Sequence, residues 1–140
     1  MCIRDSEGDW LTSKAYIQAR QFNVPLHAVE VGVHEGDLPP ELSFLSIAPE
    51  SLILSALKRA EREDGLIARF YNIEGEEVEA KIRSFTPHVT IWMTNLNENC
   101  LERLKPVNGE VTLNVGAHKI VTLLIKCETS PKSPESVVEA

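Results

Sequence analysis

The clearest pattern in the chain runs through residues 78–83, where Val78, Ala80 and Ile82 interleave with Glu79, Lys81 and Arg83. A period of two puts the apolar side chains on one face of a strand and the charges on the other, as in a sheet wetted on one side. Just before it, Leu66-Ile67-Ala68-Arg69-Phe70-Tyr71-Asn72-Ile73 combines aromatic and β-branched residues, and predicts a second strand. Asp64-Gly65 is a tight-turn signal in front of that run, and Glu74-Gly75-Glu76 makes the turn after it. Further strands are expected within 89–96, 111–115 and 120–127, separated by Asn97-Glu98-Asn99, residues 106–109 and Gly116-Ala117. Short strands at this spacing, joined by Gly, Pro and Asn turns, predict an all-β fold, an antiparallel β-sandwich.

Residues 51–60 are ambiguous. Leu52, Ile53, Ala56, Leu57 and Ala60 fit one face of a helix, and the Leu, Ala, Lys and Arg content agrees. A hairpin closed at Asp64-Gly65 instead asks for a strand before the turn. Upstream, Leu42 to Ala48 is a short apolar-rich run punctuated by Pro49-Glu50. Ala15, Ile17, Ala19 and Phe22 fit no clean period, so residues 12–22 predict a short irregular or helical N-terminal lead-in. Pro25 cannot continue a helix, and Val29, Val31 and Val33 then alternate with Glu30, Gly32 and His34 like a half-buried strand, until Gly36-Asp37-Leu38-Pro39-Pro40 breaks the pattern.

The expected organisation is a connector over 7–41, a sandwich domain over 42–128 and a disordered tail over 129–140, which is rich in Ser, Pro and Glu. The opening Met1-Cys2-Ile3-Arg4-Asp5-Ser6 resembles translated sequencing adaptor, so residues 1–6 are set aside as an artefact and the chain is expected to be cut from a longer protein.

Composition narrows the function classes. With 14 basic and 21 acidic side chains the formal charge is −7, which opposes attraction to nucleic-acid phosphates or anionic lipid. No run of about 18 apolar residues could span a bilayer, and the first residues lack an apolar signal stretch, so neither nucleic acid nor membrane is an expected partner. Cytoplasmic residence is expected, although a signal on a missing N-terminus would change that. Cys2, Cys100 and Cys127 are too few and scattered for a disulfide framework or a zinc pair, and are expected to be reduced structural thiols.

A sugar hydrolase usually needs two carboxylates flanking the scissile bond. Glu61, Glu63, Asp64, Glu74, Glu76, Glu77 and Glu79 are available, but all fall in turns or on wet faces, where solvated surface charge is the expectation. His27, His34, His88 and His118 form no ligand cluster by spacing; His34-Glu35-Gly36-Asp37 could hold a metal, but loop polarity explains it better. Serine elbows and phosphate-cradling glycine motifs are absent. Trp92, Tyr71 and Trp10 are possible sugar platforms, with Trp92, in an apolar strand, expected in the core instead.

Two stretches resemble a known family. Gly8-Asp9-Trp10, followed at a distance by Phe22-Asn23-Val24-Pro25-Leu26, is similar to the G-D-W and F-N-x-P-L segments of glycoside hydrolase family 38. More specifically, Phe44-Leu45-Ser46-Ile47, residues 51–61, and Asp64-Gly65-Leu66-Ile67-Ala68-Arg69-Phe70-Tyr71-Asn72 resemble its strand pair, "V-L-S-A-L-K-K-A-E … D-G-x-I-x-R-x-Y-N". Thr94-Asn95-Leu96-Asn97-Glu98 resembles its T-N-L-x-E continuation. The resemblance covers most of 7–128 and implies that 51–60 is a strand.

Members of that family are retaining α-mannosidases with an N-terminal α/β barrel, a helical bundle and β-sandwich domains toward the C-terminus. In them, His and Asp side chains of the barrel hold a zinc ion and an Asp serves as nucleophile. Those barrel motifs match nothing here. The resemblance therefore implies a noncatalytic C-terminal β-sandwich fragment that is inactive by itself and has no catalytic or metal residue and no assigned substrate-binding residue. Zinc belongs to the missing catalytic domain. The implied partners are the upstream domains of the same polypeptide and, through the parent enzyme, a glycan substrate. Two alternatives remain: a freestanding carbohydrate-binding sandwich using Trp92 or Tyr71, and a ligand-free interaction module.

Overall fold

The computed structural model describes residues 7–33 and 35–127, and the chain divides into two units, 1–38 and 39–140. The expected artefact at 1–6 and the expected disordered tail lie outside the described residues.

In the first unit Asp9 organises a turn. Its Oδ1 accepts the backbone N–H groups of Leu11 and Thr12 at 3.1 and 2.7 Å. These charge-assisted bonds, that from Thr12 foremost, hold the carboxyl below its ordinary pKa. Trp10 and Tyr16 meet edge to face at 6.2 Å. The helix α1 (Ala15–Asn23) follows and buries none of its residues. It ends before Pro25, whose ring could not enter a helix interior. Beyond it the alternating valines form no strand: Val29, Val31 and Val33 are exposed in irregular backbone. A period of two makes a strand only where another strand supplies the ladder, and none pairs with this segment among the described residues.

The second unit is all β. Its strands are β1 (Leu45–Ala48), β2 (Leu52–Arg59), β3 (Leu66–Asn72), β4 (Val78–Ser84), β5 (Val89–Thr94), β6 (Cys100–Leu104), β7 (Glu110–Val115) and β8 (Ile120–Cys127). They make a three-stranded sheet, β1-β4-β7, and a five-stranded sheet, β2-β3-β8-β5-β6, antiparallel throughout. This is the antiparallel sandwich expected from the strand spacing. Ala80 and Ile82 of β4 and Val111 and Val115 of β7 supply one half of the core; Ala68, Phe70, Ile91, Leu123 and Ile125 of the larger sheet supply the other.

The strand at 52–59 settles the ambiguous segment as the family resemblance implied. A β-bulge between Leu54 and Ala56 breaks its period. After Leu52 and Leu54, the extra residue moves the next apolar side chain to Leu57, so the sequence imitates a helical face. Ser55, at the bulge, donates its hydroxyl to the Arg69 carbonyl at 3.1 Å.

The β2–β3 link is longer than a two-residue turn. It spans 60–65 and is closed by Ala60 N–H donating to the Gly65 carbonyl at 2.9 Å. Gly65 serves a close approach: a Cβ there would lie 2.9 Å from the Ile125 carbonyl oxygen and 2.9 Å from a Leu124 methyl. The small residue lets β3 run against β8.

Glu74-Gly75-Glu76 is not a hairpin turn but part of a crossover, since β3 and β4 lie in different sheets. Asn72 holds that crossover. It is 1% exposed, and its Nδ2 donates to the carbonyls of Glu76 at 2.7 Å, Gly116 at 3.1 Å and Val115 at 3.4 Å. Its Oδ1 accepts from Glu74 N–H at 2.9 Å. The segment at 116–119 joins β7 to β8 and also passes between sheets, so one amide ties two crossovers together.

Candidate functional site

Alternation divides the five-stranded sheet into a core face and an outer face. Phe70, Val121, Leu123 and Ile91 face the core, leaving Ile67, Arg69 and Tyr71 of β3, Thr122 and Leu124 of β8, and Trp92 and Thr94 of β5 on the other side. This outer face is not simply wet. Ile67 and Leu124 on it are fully buried.

Two loops meet in a polar cluster at this sheet. In the β5–β6 turn, Asn95 Oδ1 accepts the N–H groups of Asn97 and Asn99, each at 3.0 Å, and Glu98 takes a left-handed φ of 65°. That turn brings the Glu98 carboxylate, 8% exposed, to the base of the 60–65 loop. There one oxygen lies 2.6 Å from Lys58 Nζ and the other accepts Glu61 N–H at 2.9 Å. Lys58 also reaches Glu61 at 2.7 Å, and Arg62 donates to Asn99 Oδ1 at 2.9 Å. Arg69 ties the turn to the sheet, donating through Nε to Thr122 Oγ1 and through Nη2 to the Leu96 carbonyl, both at 3.1 Å.

The electrostatics follow from these contacts. The Glu61 N–H, then Lys58, hold the Glu98 carboxyl below its ordinary pKa. The Glu61 and Glu98 carboxylates in turn raise that of Lys58. At the other side of the same loop Lys126 pairs with Glu63, which raises the Lys126 pKa. These groups are salt-bridged and hydrogen-bonded to each other, an arrangement that ties the two loops to the sheet.

The carboxylates available to a sugar hydrolase do not converge. Glu61, Glu63, Asp64, Glu76, Glu77 and Glu79 are exposed and Glu74 is half-buried. Glu77 accepts from Asn114 at 3.1 Å, and Asp64 stands 3.6 Å from Arg59. Glu98 is buried, although the sequence places it in a polar turn; its place in the T-N-L-x-E stretch is the signal that marks it. His34 lies outside the described residues, as does Cys2. Cys100 and Cys127 are exposed free thiols. Among the described residues there is no group of three or more His, Cys, Asp and Glu that could hold a metal ion.

Trp92, expected in the core, instead lies half-buried on the outer face, opposite Arg103 and Leu124. Tyr71 shares that face but pairs with Ile120, four residues along β8 from Leu124. The two rings are two strands and roughly 13 Å of strand apart, too far to act as one sugar platform. Trp10 belongs to the other unit. No helix among the described residues is long and apolar enough to cross a membrane.

The second unit is thus a two-sheet antiparallel β-sandwich whose outer polar cluster ties its loops together. Residues 51–123 match the Glycosyl hydrolases family 38 C-terminal beta sandwich domain, and the chain belongs to that family. A protein of Halalkalibacterium halodurans named "Putative mannosylglycerate hydrolase" is 29% identical over 117 residues, which cover 84% of this chain and 13% of that protein. The chain thus spans about an eighth of the length of this relative. No solved structure matches it.

The matched span contains the residues that hold the loops and crossovers in place. Lys58, Glu61, Arg69, Asn95, Leu96 and Glu98 build the two-loop cluster, and Asn72 builds the crossover tie.

Proposed function

We propose that this chain is the noncatalytic C-terminal β-sandwich of a longer retaining, zinc-dependent family 38 glycosidase that hydrolyses α-mannosidic bonds, a cytoplasmic enzyme whose catalytic domain holds the zinc. The observation that carries the proposal is the family match over residues 51–123, which falls on strands and turns and brings no converging pair of carboxylates. The relative's name points to mannosylglycerate, a mannoside with a small acid as aglycone, as the substrate class to try first. The domain's own work is architectural: it presents a rigid sandwich to the upstream part of the same polypeptide.

The test is an assay of the folded 140-residue chain on an aryl α-mannoside and on mannosylglycerate, with and without zinc, beside the full-length protein that carries the domain. Turnover by the full-length protein alone is expected. Metal-dependent turnover by the isolated chain would overturn the noncatalytic assignment, and a full-length protein without mannosidase activity would overturn the parent assignment.

A further inference from the structure

The turn at 95–99 is held more firmly than an exposed hairpin loop requires. Asn95 ties it from within, Glu98 anchors it to Lys58 and the 60–65 loop, and Arg69 grips the carbonyl of Leu96. What this rigid turn displays is an apolar side chain: Leu96 is 61% exposed. Beside it, Leu101 of the edge strand β6 and Ile120 of β8 are 64% and 53% exposed, and with Met93 they wall a groove of about 370 Å³.

Two of the groove's polar side chains are already engaged, which leaves Lys119 and the amide nitrogen of Asn95 as the other polar side-chain groups that line it. Thr94 Oγ1 donates to the Thr122 carbonyl at 3.3 Å, and Thr122 Oγ1 accepts from Arg69. A sugar ring entering here would find few free partners for its hydroxyls, whereas an aliphatic or aromatic side chain would be received by leucine, isoleucine and methionine. Exposed apolar surface grouped on a rigid support marks a docking site, because little ordering entropy is lost when the partner arrives.

We infer that this groove docks an apolar side chain from the remainder of the longer polypeptide that carries the domain. The inference rests on the reading that this is one domain of a larger enzyme. Its occupant is indicated by length: the aligned region is 13% of the relative, so most of a polypeptide of that size remains outside the sandwich to supply a covering surface. The exposed pair Phe44 and Phe85, 5.9 Å apart at the other sheet, serves as a control.

The experiment compares hydrogen–deuterium exchange of segments 93–101 and 119–122 in the isolated 140-residue chain and in the full-length protein. Exchange in both segments is expected to slow at least tenfold in the full-length protein. Leu96→Glu combined with Leu101→Glu should return it to the isolated-chain rate, while Phe44→Ser with Phe85→Ser should leave the groove protected. Both side chains of the first pair are exposed, and an unchanged melting temperature of the isolated variant confirms that it folds. Protection appearing elsewhere on the sandwich but not in these segments would overturn the inference and leave the parent assignment standing. Slowing in the isolated chain on raising its concentration, or on adding mannose, would assign the groove to a second copy or to a sugar and overturn it equally. If the full-length protein shows the protection but no mannosidase activity, the docking stands and the parent assignment falls.

Discussion

Replacing Asn72 by Ala tests whether one amide holds the two crossovers. The substitution removes three well-formed hydrogen bonds, to Glu76 O, Gly116 O and from Glu74 N, and a longer one to Val115 O. At about 1 kcal/mol net for each of the three, the loss is about 3 kcal/mol, and stranded acceptors in a site this buried add to it, giving about 3–5 kcal/mol. For a domain of this size each kcal/mol shifts the midpoint by roughly 4–8 °C, so melting should fall by at least about 12 °C. Urea unfolding followed by circular dichroism measures the free energy, with the slope checked for two-state behaviour. Asn114→Ala, which removes one exposed bond to Glu77, is the matched control and should change stability by less than about 0.5 kcal/mol. A loss below about 1 kcal/mol for Asn72→Ala would mean that backbone pairing, not the amide, fixes the crossovers. Asn72→Asp should be worse than Ala, since it points oxygens at carbonyl oxygens.

Three further outcomes follow from the same geometry. Glu98 has a depressed folded-state pKa, so its contribution is present above the ordinary glutamate value and lost as pH falls through the lower folded value. The melting temperature of the wild-type chain should therefore drop more steeply over that acid range than that of Glu98→Gln, and parallel curves would remove the carboxylate from the account. Gly65→Ala should destabilise by about 2 kcal/mol or more, read by urea denaturation, because its Cβ would sit 2.9 Å from a backbone oxygen of the neighbouring strand. Ser51 buries a hydroxyl that has no partner in the structure, so Ser51→Ala should be neutral or stabilising by up to about 1 kcal/mol; a clear loss would reveal an uncounted partner.

Much of the sandwich was legible because alternation and burial agree where a strand has one core face. The inward Val78, Ala80 and Ile82 needed nothing more than a period of two. The strand β2 was hidden by its bulge, which phases apolar residues as a helix would. No run in the sequence pointed to β6, since Cys100-Leu101-Glu102-Arg103-Leu104 lies at a sheet edge with four of its five residues exposed and carries no one-sided pattern. Conversely, Val29, Val31 and Val33 alternate with nothing to pair against. Trp92 misled by its apolar neighbours: every second residue of β5 faces away from the core, and the outer face here is partly apolar as well. The loop cluster was visible only as a family-like string of residues, because its geometry joins positions 37 apart in the chain, a separation no local period records.

The order β2-β3-β8-β5-β6 has a consequence for how the molecule comes into being. The centre of the larger sheet is its most C-terminal strand, with the β2–β3 hairpin on one flank and the β5–β6 hairpin on the other. During synthesis both hairpins emerge with an open edge and nothing between them, and neither can be joined to the other until residues 120–127 leave the ribosome. Assembly of this sheet is therefore governed by long-range closure and is slow relative to its hairpins. A nascent chain stalled before Ile120 would present two unpaired edges to its neighbours, the form in which strand-rich proteins are most prone to associate.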